Sequence, residues 1–137
     1  MMATAPLTLR LLMAKSNQPY LAFSAWRVDL YRSQKPRHSV PFFRRSRNHS
    51  LLWNFIMHGH YAGAPPSVGA CETVTAWSRP TTRKLLHDAQ ARGFIEIRSA
   101  ADDHRKRLIY PTAKTISEYQ AMVNGYMKLW KTLDKKK

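Results

Sequence analysis

The chain has 137 residues, is 44% apolar and 11% aromatic, and carries a formal net charge of +15 with six histidines counted neutral. That is one domain of ordinary size with enough apolar residues for a real core. No stretch approaches the roughly 18 consecutive apolar residues of a membrane span. There is one cysteine, Cys71, so an intramolecular disulfide and a cysteine-rich zinc site are both excluded, which suits a reducing compartment.

The N-terminal stretch MMATAPLTLRLLMAKS contains Arg10 and Lys15 but no acid. Arg10 interrupts its apolar run and no clear small-residue cleavage site follows, so residues 1–18 read as a flexible or docking segment rather than a leader. From Pro19 to Ser33, Phe23, Trp26 and Leu30 recur at helical spacing, with Ala22 and Tyr31 widening the face. QKPRHSVPFFRRSR, Gln34 to Arg47, holds two prolines and many cations and reads as a basic loop. Leu51, Leu52, Phe55 and Ile56 mark a second helix from Asn48 to Tyr61, with Asn48 as its cap.

Ser67 to Trp77 reads as a short third helix capped by Ser67, with Val68, Cys71 and Val74 facing inward. After a tight turn at Ser78–Pro80, Pro80 is tolerated only in the first turn of a further helix. That helix buries Leu85, Leu86 and Ala89 and stops at Gly93. The apolar period then changes from 3.6 to 2. FIEIRS sets Ile95 and Ile97 against Glu96 and Arg98, and RLIYPT sets Leu108 and Tyr110 against Arg107 and Ile109, so a β-hairpin is expected with AADDHRK as its charged tip. Near Thr112 a last helix begins and runs toward Asp134. Ile116, Tyr119, Val123, Tyr126, Trp130 and Leu133 are spaced 3, 4, 3, 4, 3, a heptad seam suited to packing along another helix. The stripe is wide enough for both the chain's own N-terminal helix and a partner subunit, which makes a homodimer the expected state. The terminal KKK favours the helix dipole and reads as disordered.

The fold class expected is therefore mainly α with a small β-hairpin wing (α+β), a winged helix-turn-helix flanked by N- and C-terminal dimerisation helices. Charge names the partner class. Asp29 is the only acid before Glu72, while Arg32, Lys35, Arg37, Arg44, Arg45 and Arg47 all lie between them. Phosphate neutralisation makes nucleic acid the default partner, ahead of an anionic membrane surface.

TVTAWSRPTTRKLLHDAQARGFIEIRSAADDHRKRLIYPTAKT resembles the DNA-binding core of the MarR family of transcriptional regulators. SRPTTRKLL is similar to the start of its recognition helix, ARGFIEIR to the link into the wing, and ADDHRKRLIYPTAK to the wing. The departures are Glu72, where the family usually has a small residue, Ala76, where it often has glycine, Trp77, large for its turn position, and Thr115 in place of a glycine. The resemblance implies a homodimeric, sequence-specific regulator that binds double-stranded DNA in the cytoplasm, on the nucleoid. It also implies a small-molecule effector, which no residues here identify.

Within that frame Ser78, Arg79, Thr81, Thr82, Arg83, Lys84 and His87 form the recognition-helix set. Arg83 and Lys84 suit base edges, because arginine or lysine to guanine is the commonest specific contact. Thr81 and Thr82 suit phosphate at the helix N-terminus. On the wing the resemblance implies that Asp103 holds Arg105 for the minor groove. Arg98, His104, Lys106 and Arg107 serve as phosphate contacts, and Arg44, Arg45 and Arg47 are candidates for flanking backbone. His58 and His60 lie two apart with no carboxylate near in sequence, a poor metal site, and Cys71 on the apolar stripe suits packing better than redox chemistry. No carboxylate pair, phosphate-cradling glycine loop or nucleophile motif is present, so no enzyme activity, cofactor or metal is expected.

Overall fold

The computed structural model describes residues 17–33 and 38–134. The expected N-terminal segment lies almost wholly outside them, as do residues 34–37 of the expected basic loop and the terminal lysines. The elements in chain order are α1 (Gln18–Ser33), α2 (Ser39–Phe43), α3 (Arg47–Tyr61), α4 (Val68–Val74), α5 (Arg79–Ala91), β1 (Ile95–Ser99), β2 (Arg107–Pro111) and α6 (Ala113–Asp134). They fall into two compact units. One comprises α1 and α6 from Met122 onward, and the other the residues up to Ala121 that follow α1.

The first unit is held by aromatic rings. Tyr126 of α6 packs 5.4 Å from Trp26 and 6.0 Å, edge-on, from Phe23, both on α1. Trp130 continues the cluster 6.0 Å beyond Tyr126. Apolar side chains remain outside it: Tyr20, Val28, Tyr31 and Met127 are exposed, as is Trp130 at the edge of the cluster.

The second unit holds the main core. Its aromatic centre comes from α2, which the sequence pattern had placed in a basic loop. Val40, Phe42 and Phe43 of this five-residue helix are buried. Phe43 stacks on Trp53 at 5.6 Å and Phe42 lies 5.2 Å from Phe94. Pro41 is accommodated because the first turn of a helix needs no internal N–H bonds. The His38 ring caps α2, Nδ1 accepting from the Val40 N–H at 3.2 Å. Two further bonds anchor it: the Ser39 N–H and hydroxyl both donate to Glu118 Oε1, at 2.9 and 2.6 Å.

Helix α3 begins one residue earlier than expected, and Ser46 rather than Asn48 is its cap, accepting from the His49 N–H. Its inward stripe is Leu52, Trp53, Ile56 and Met57, whereas Leu51 is exposed and Phe55 half-buried. Helix α4 stops at Val74, short of the expected Trp77. Thr75 is extended there, and its hydroxyl bonds that of Thr82 at 2.9 Å. Ser67 caps α4 as expected, and Cys71 is its fully buried residue.

Helix α5 is capped by Ser78, carries Pro80 in its first turn and buries Thr82, Leu85, Leu86 and Ala89. Its end is a Schellman motif, with the Phe94 N–H donating to Ala89 O and the Gly93 N–H to Gln90 O. Gly93 has φ +78°, which an L side chain adopts only with strain.

The hairpin pairs β1 and β2 antiparallel, Ile97 opposite Ile109 and Ile95 opposite Pro111. Cross-strand partners share a face, so the inward face of β2 is Ile109 and Pro111, not Leu108 and Tyr110 as the alternation had suggested. Ile109 is fully buried and Leu108 and Tyr110 half-buried. Pro66 and Ser67 extend the sheet, with the Ile109 N–H donating to Pro66 O and a bridge joining Ser67 to Leu108. The architecture is mainly helical with a two-stranded antiparallel wing, a winged helix-turn-helix formed by α4, the turn at Thr75–Ser78, α5 and the hairpin. No helix among the described residues is long and apolar enough to cross a membrane.

Candidate nucleic-acid interface

The first turn of α5 is built for presentation. Its first turn has no acid, so the positive end of the helix is not offset from within. The Ser78 hydroxyl oxygen accepts from the Thr81 N–H at 3.4 Å and lies 2.9 Å from the Thr81 hydroxyl. Arg79, Thr81, Arg83, Lys84 and His87 are exposed. Thr82 is not: it is fully buried and bonds Thr75, so it fixes the turn against α5 instead of facing outward.

Exposed residues of α5 border two clefts. On one side Arg79, Arg83 and His87 face Arg105, Lys106 and Arg107 of the wing across a cleft of about 540 Å³. Glu72 supplies the carboxylate there. Its side chain is only 6% exposed, and it lies 3.1 Å from Arg83 Nε and 3.5 Å from Arg79 Nε. In the sequence Glu72 stands out only as a departure from the family pattern, with no neighbour that assigns it a role. Its bond to Arg83 crosses eleven residues and becomes visible only once the turn has set α4 beside α5. On the other side Lys84 shares a cleft of about 710 Å³ with His49, Trp77, Thr81 and Asp88. Trp77 meets the His49 ring edge-on at 5.0 Å. Burial lowers the pKa of His49, with the nearby Arg45 adding to the effect and Asp88 opposing it.

The wing tip is shaped by Asp103, which engages Arg105 through its backbone. Asp103 Oδ1 accepts the backbone N–H of Arg105 at 3.0 Å, and its carbonyl accepts the Lys106 N–H. His104, Arg105, Lys106 and Arg107 are exposed. Arg98 sits on the outer face of the hairpin, bonded to Glu96, with its guanidinium 4.7 Å from the Tyr110 ring centre.

The other candidates do not line these clefts. Arg45 packs over Phe42 at 4.9 Å, and Arg47 is exposed at the start of α3. His58 is exposed and His60 packs on Tyr61. No three His, Cys, Asp or Glu side chains among the described residues come together as a metal site. Burial, helped by Glu72, pushes the Cys71 thiol up to about 12. Of the heptad seam, Ile116 and Tyr119 fall in the second unit, where Tyr119 lies 5.0 Å from Trp53 and its hydroxyl bonds Asn54. Val123, Tyr126, Trp130 and Leu133 fall in the first.

No family model matches the chain, and no curated protein matches it in sequence. Solved structures share its fold. Staphylococcus aureus MepR bound to ethidium bromide is 13% identical at a TM-score of 0.66, the match covering 89% of this chain and 81% of that one. The transcriptional regulator Tm0710 from Thermotoga maritima is 11% identical at 0.59, covering 92% and 79%. An S. aureus MepR–DNA complex is 15% identical at 0.55, covering 96% and 91%. At these identities the likeness is one of fold.

Proposed function

We propose that this chain is a MarR-like transcriptional regulator that binds double-stranded DNA sequence-specifically as a homodimer, in the cytoplasm on the nucleoid. The observation that carries the reading is the cleft where α5 and the wing converge, with Arg79, Arg83, Arg105, Lys106 and Arg107 around a single carboxylate. A protein of the same fold has been solved with DNA. Helix α5 enters the major groove, where Arg83 and Lys84 meet base edges. Thr81, Arg79 and Ser78 hold flanking phosphate at the helix start, and His87 holds it further along α5. Arg105 takes the minor groove, on a turn that Asp103 shapes, and His104, Lys106 and Arg107 hold backbone beside it. Arg98, tied to Glu96 and Tyr110, is a peripheral phosphate contact.

The dimer rests on the seam of α6 together with the exposed aromatic and apolar side chains of α1. Two recognition helices then read half-sites about one helical turn apart. A small-molecule effector fits the reading as well, since MepR has been solved with ethidium bromide. One observation favours a second reading, a non-specific basic nucleic-acid-binding or assembly module: the net charge of +15, with Asp29 the only acid before Glu72.

The test compares variants on one selected duplex across a salt series. Replacing Arg105, Lys106 and Arg107 together by alanine lowers the slope of log K against log salt by about 2–3, at roughly 0.9 per phosphate contact. Lys84→Ala mainly reduces the preference for the selected sequence. If neither variant changes binding, α5 and the wing are not the interface.

A further inference from the structure

We propose that Glu72 is a specificity-determining positioning residue, a nearly buried carboxylate on α4 that holds Arg83 of the recognition helix in readout geometry and, lying beside Arg79 as well, tempers the attraction of this face for phosphate. The inference rests on the reading of the α5–wing cleft as a DNA surface.

The geometry is that of a clamp. Oε1 of Glu72 accepts from Arg83 Nε at 3.1 Å, and Oε2 lies 3.5 Å from Arg79 Nε. Arg79 and Arg83 are one helical turn apart and so share a face of α5. Both stay open to solvent, with side chains 81% and 59% exposed, while that of Glu72 is 6% exposed. Ion pairs with such exposed arginines add little to stability. A nearly buried carboxylate carries a desolvation cost that an apolar residue of similar size would avoid. Fold stability therefore does not account for an acid at position 72.

Its effect on the arginines does. A guanidinium offers five N–H donors in a rigid fork. With Nε engaged by the carboxylate, the two terminal nitrogens still form the paired donor that guanine O6 and N7 require. The clamp also removes rotamer freedom before DNA arrives, so less is lost on binding. One negative charge between two positive ones weakens the attraction of this face for phosphate of any sequence. Both effects act in the same direction: the ratio of specific to non-specific affinity rises.

The experiment uses the full chain, a duplex that it selects from a random-core library, and a scrambled duplex of the same composition. In Glu72→Met, which keeps the side-chain size but offers Arg83 no acceptor, the preference for the selected duplex falls roughly tenfold, about the worth of one bidentate base contact. The salt slope steepens by about 1 as a released arginine takes a phosphate. In an Arg83→Gln background the same change no longer alters the preference, because Glu72 acts through Arg83. Arg83→Lys serves should Glu72→Met fail to fold, since the side chain at 83 is 59% exposed. It keeps the charge but has neither the Nε–H that Glu72 engages nor the paired donor, so the preference falls roughly tenfold while the slope is unchanged. A preserved preference in that variant overturns the proposal.

The clamp is also read without DNA, from the Nε–Hε signal of Arg83 by heteronuclear NMR, slowly exchanging in the unaltered chain and lost in Glu72→Met. A rapidly exchanging signal in the unaltered chain overturns the clamp. Unchanged preference and slope in Glu72→Met overturn the inference alone. An unaltered chain with no preference overturns both the inference and the regulator reading on which it rests.

Discussion

Removing the Glu118 carboxylate should loosen α2 and with it the aromatic centre of the second unit. In Glu118→Ala two donors on Ser39 lose their acceptor at once: the N–H at 2.9 Å and the hydroxyl at 2.6 Å. Ser39 is fully buried, so water cannot replace the carboxylate without opening the site. A buried donor left unsatisfied costs about 1–3 kcal/mol, which puts the loss for the pair at roughly 2–6 kcal/mol. His38, 3.2 Å from Oε2, loses its partner too, but it is partly exposed and adds little. Glu118→Gln separates the contributions, since its amide oxygen can still accept from Ser39. It should lose about 1 kcal/mol, within the range of a weakened charge-assisted bond. Urea denaturation followed by tryptophan fluorescence measures both, because Trp53 stacks on Phe43 of α2. A loss below about 1 kcal/mol in Glu118→Ala would refute the reasoning, as would equal losses in the two variants.

The same site should respond to acid. Desolvation lowers the pKa of His38 from its ordinary 6.5, Lys114 lowers it further, and Glu118 only partly opposes them. The unfolded chain therefore binds the proton more readily, and the contribution present above pH 6.5 is lost as pH falls through the lowered native value. Protonation also removes the Nδ1 acceptor that caps α2. A denaturation series in pH should show less of this loss in His38→Asn, and an unchanged profile there would contradict the assignment. Two glycines on one turn should behave differently. Gly59→Ala places a Cβ 2.7 Å from both Ala64 O and Pro66 Cδ, so backbone must move, and several kcal/mol are expected, as for overpacking. Gly63→Ala meets nothing within 4 Å but has φ +71°, so about 1 kcal/mol is expected. Thermal melts that rank the two the other way would count against this account of the turn.

Much of the fold could be read from local signals that tertiary structure left in place. Ser67, Ser78 and Gly93 are punctuation whose chemistry acts within a few residues, and the change of period at Phe94 marks the hairpin directly. Helix α2 was not legible. Pro41 and the surrounding cations read as loop, and its helical state depends on burying Val40, Phe42 and Phe43 against α3 and the α5–β1 link. The face of β2 was ambiguous because Leu108, Ile109 and Tyr110 are all apolar enough to be buried, and only pairing with Ile97 decides. Within the candidate site, the exposed cations of α5 and the wing follow from the pattern, since solvated faces keep their sequence period. The roles of Thr82 and Glu72 do not. Each depends on a partner brought close by a turn: the Thr75 hydroxyl and the Arg83 guanidinium.

The central claim is sequence-specific DNA binding, and its most direct test is affinity for duplex DNA from the chain's own upstream region against a scrambled duplex, measured across a salt series. The account predicts a preference of roughly a thousandfold or more that persists as salt rises. Equal affinities with a steep common salt slope would mean phosphate contacts alone, and would contradict it.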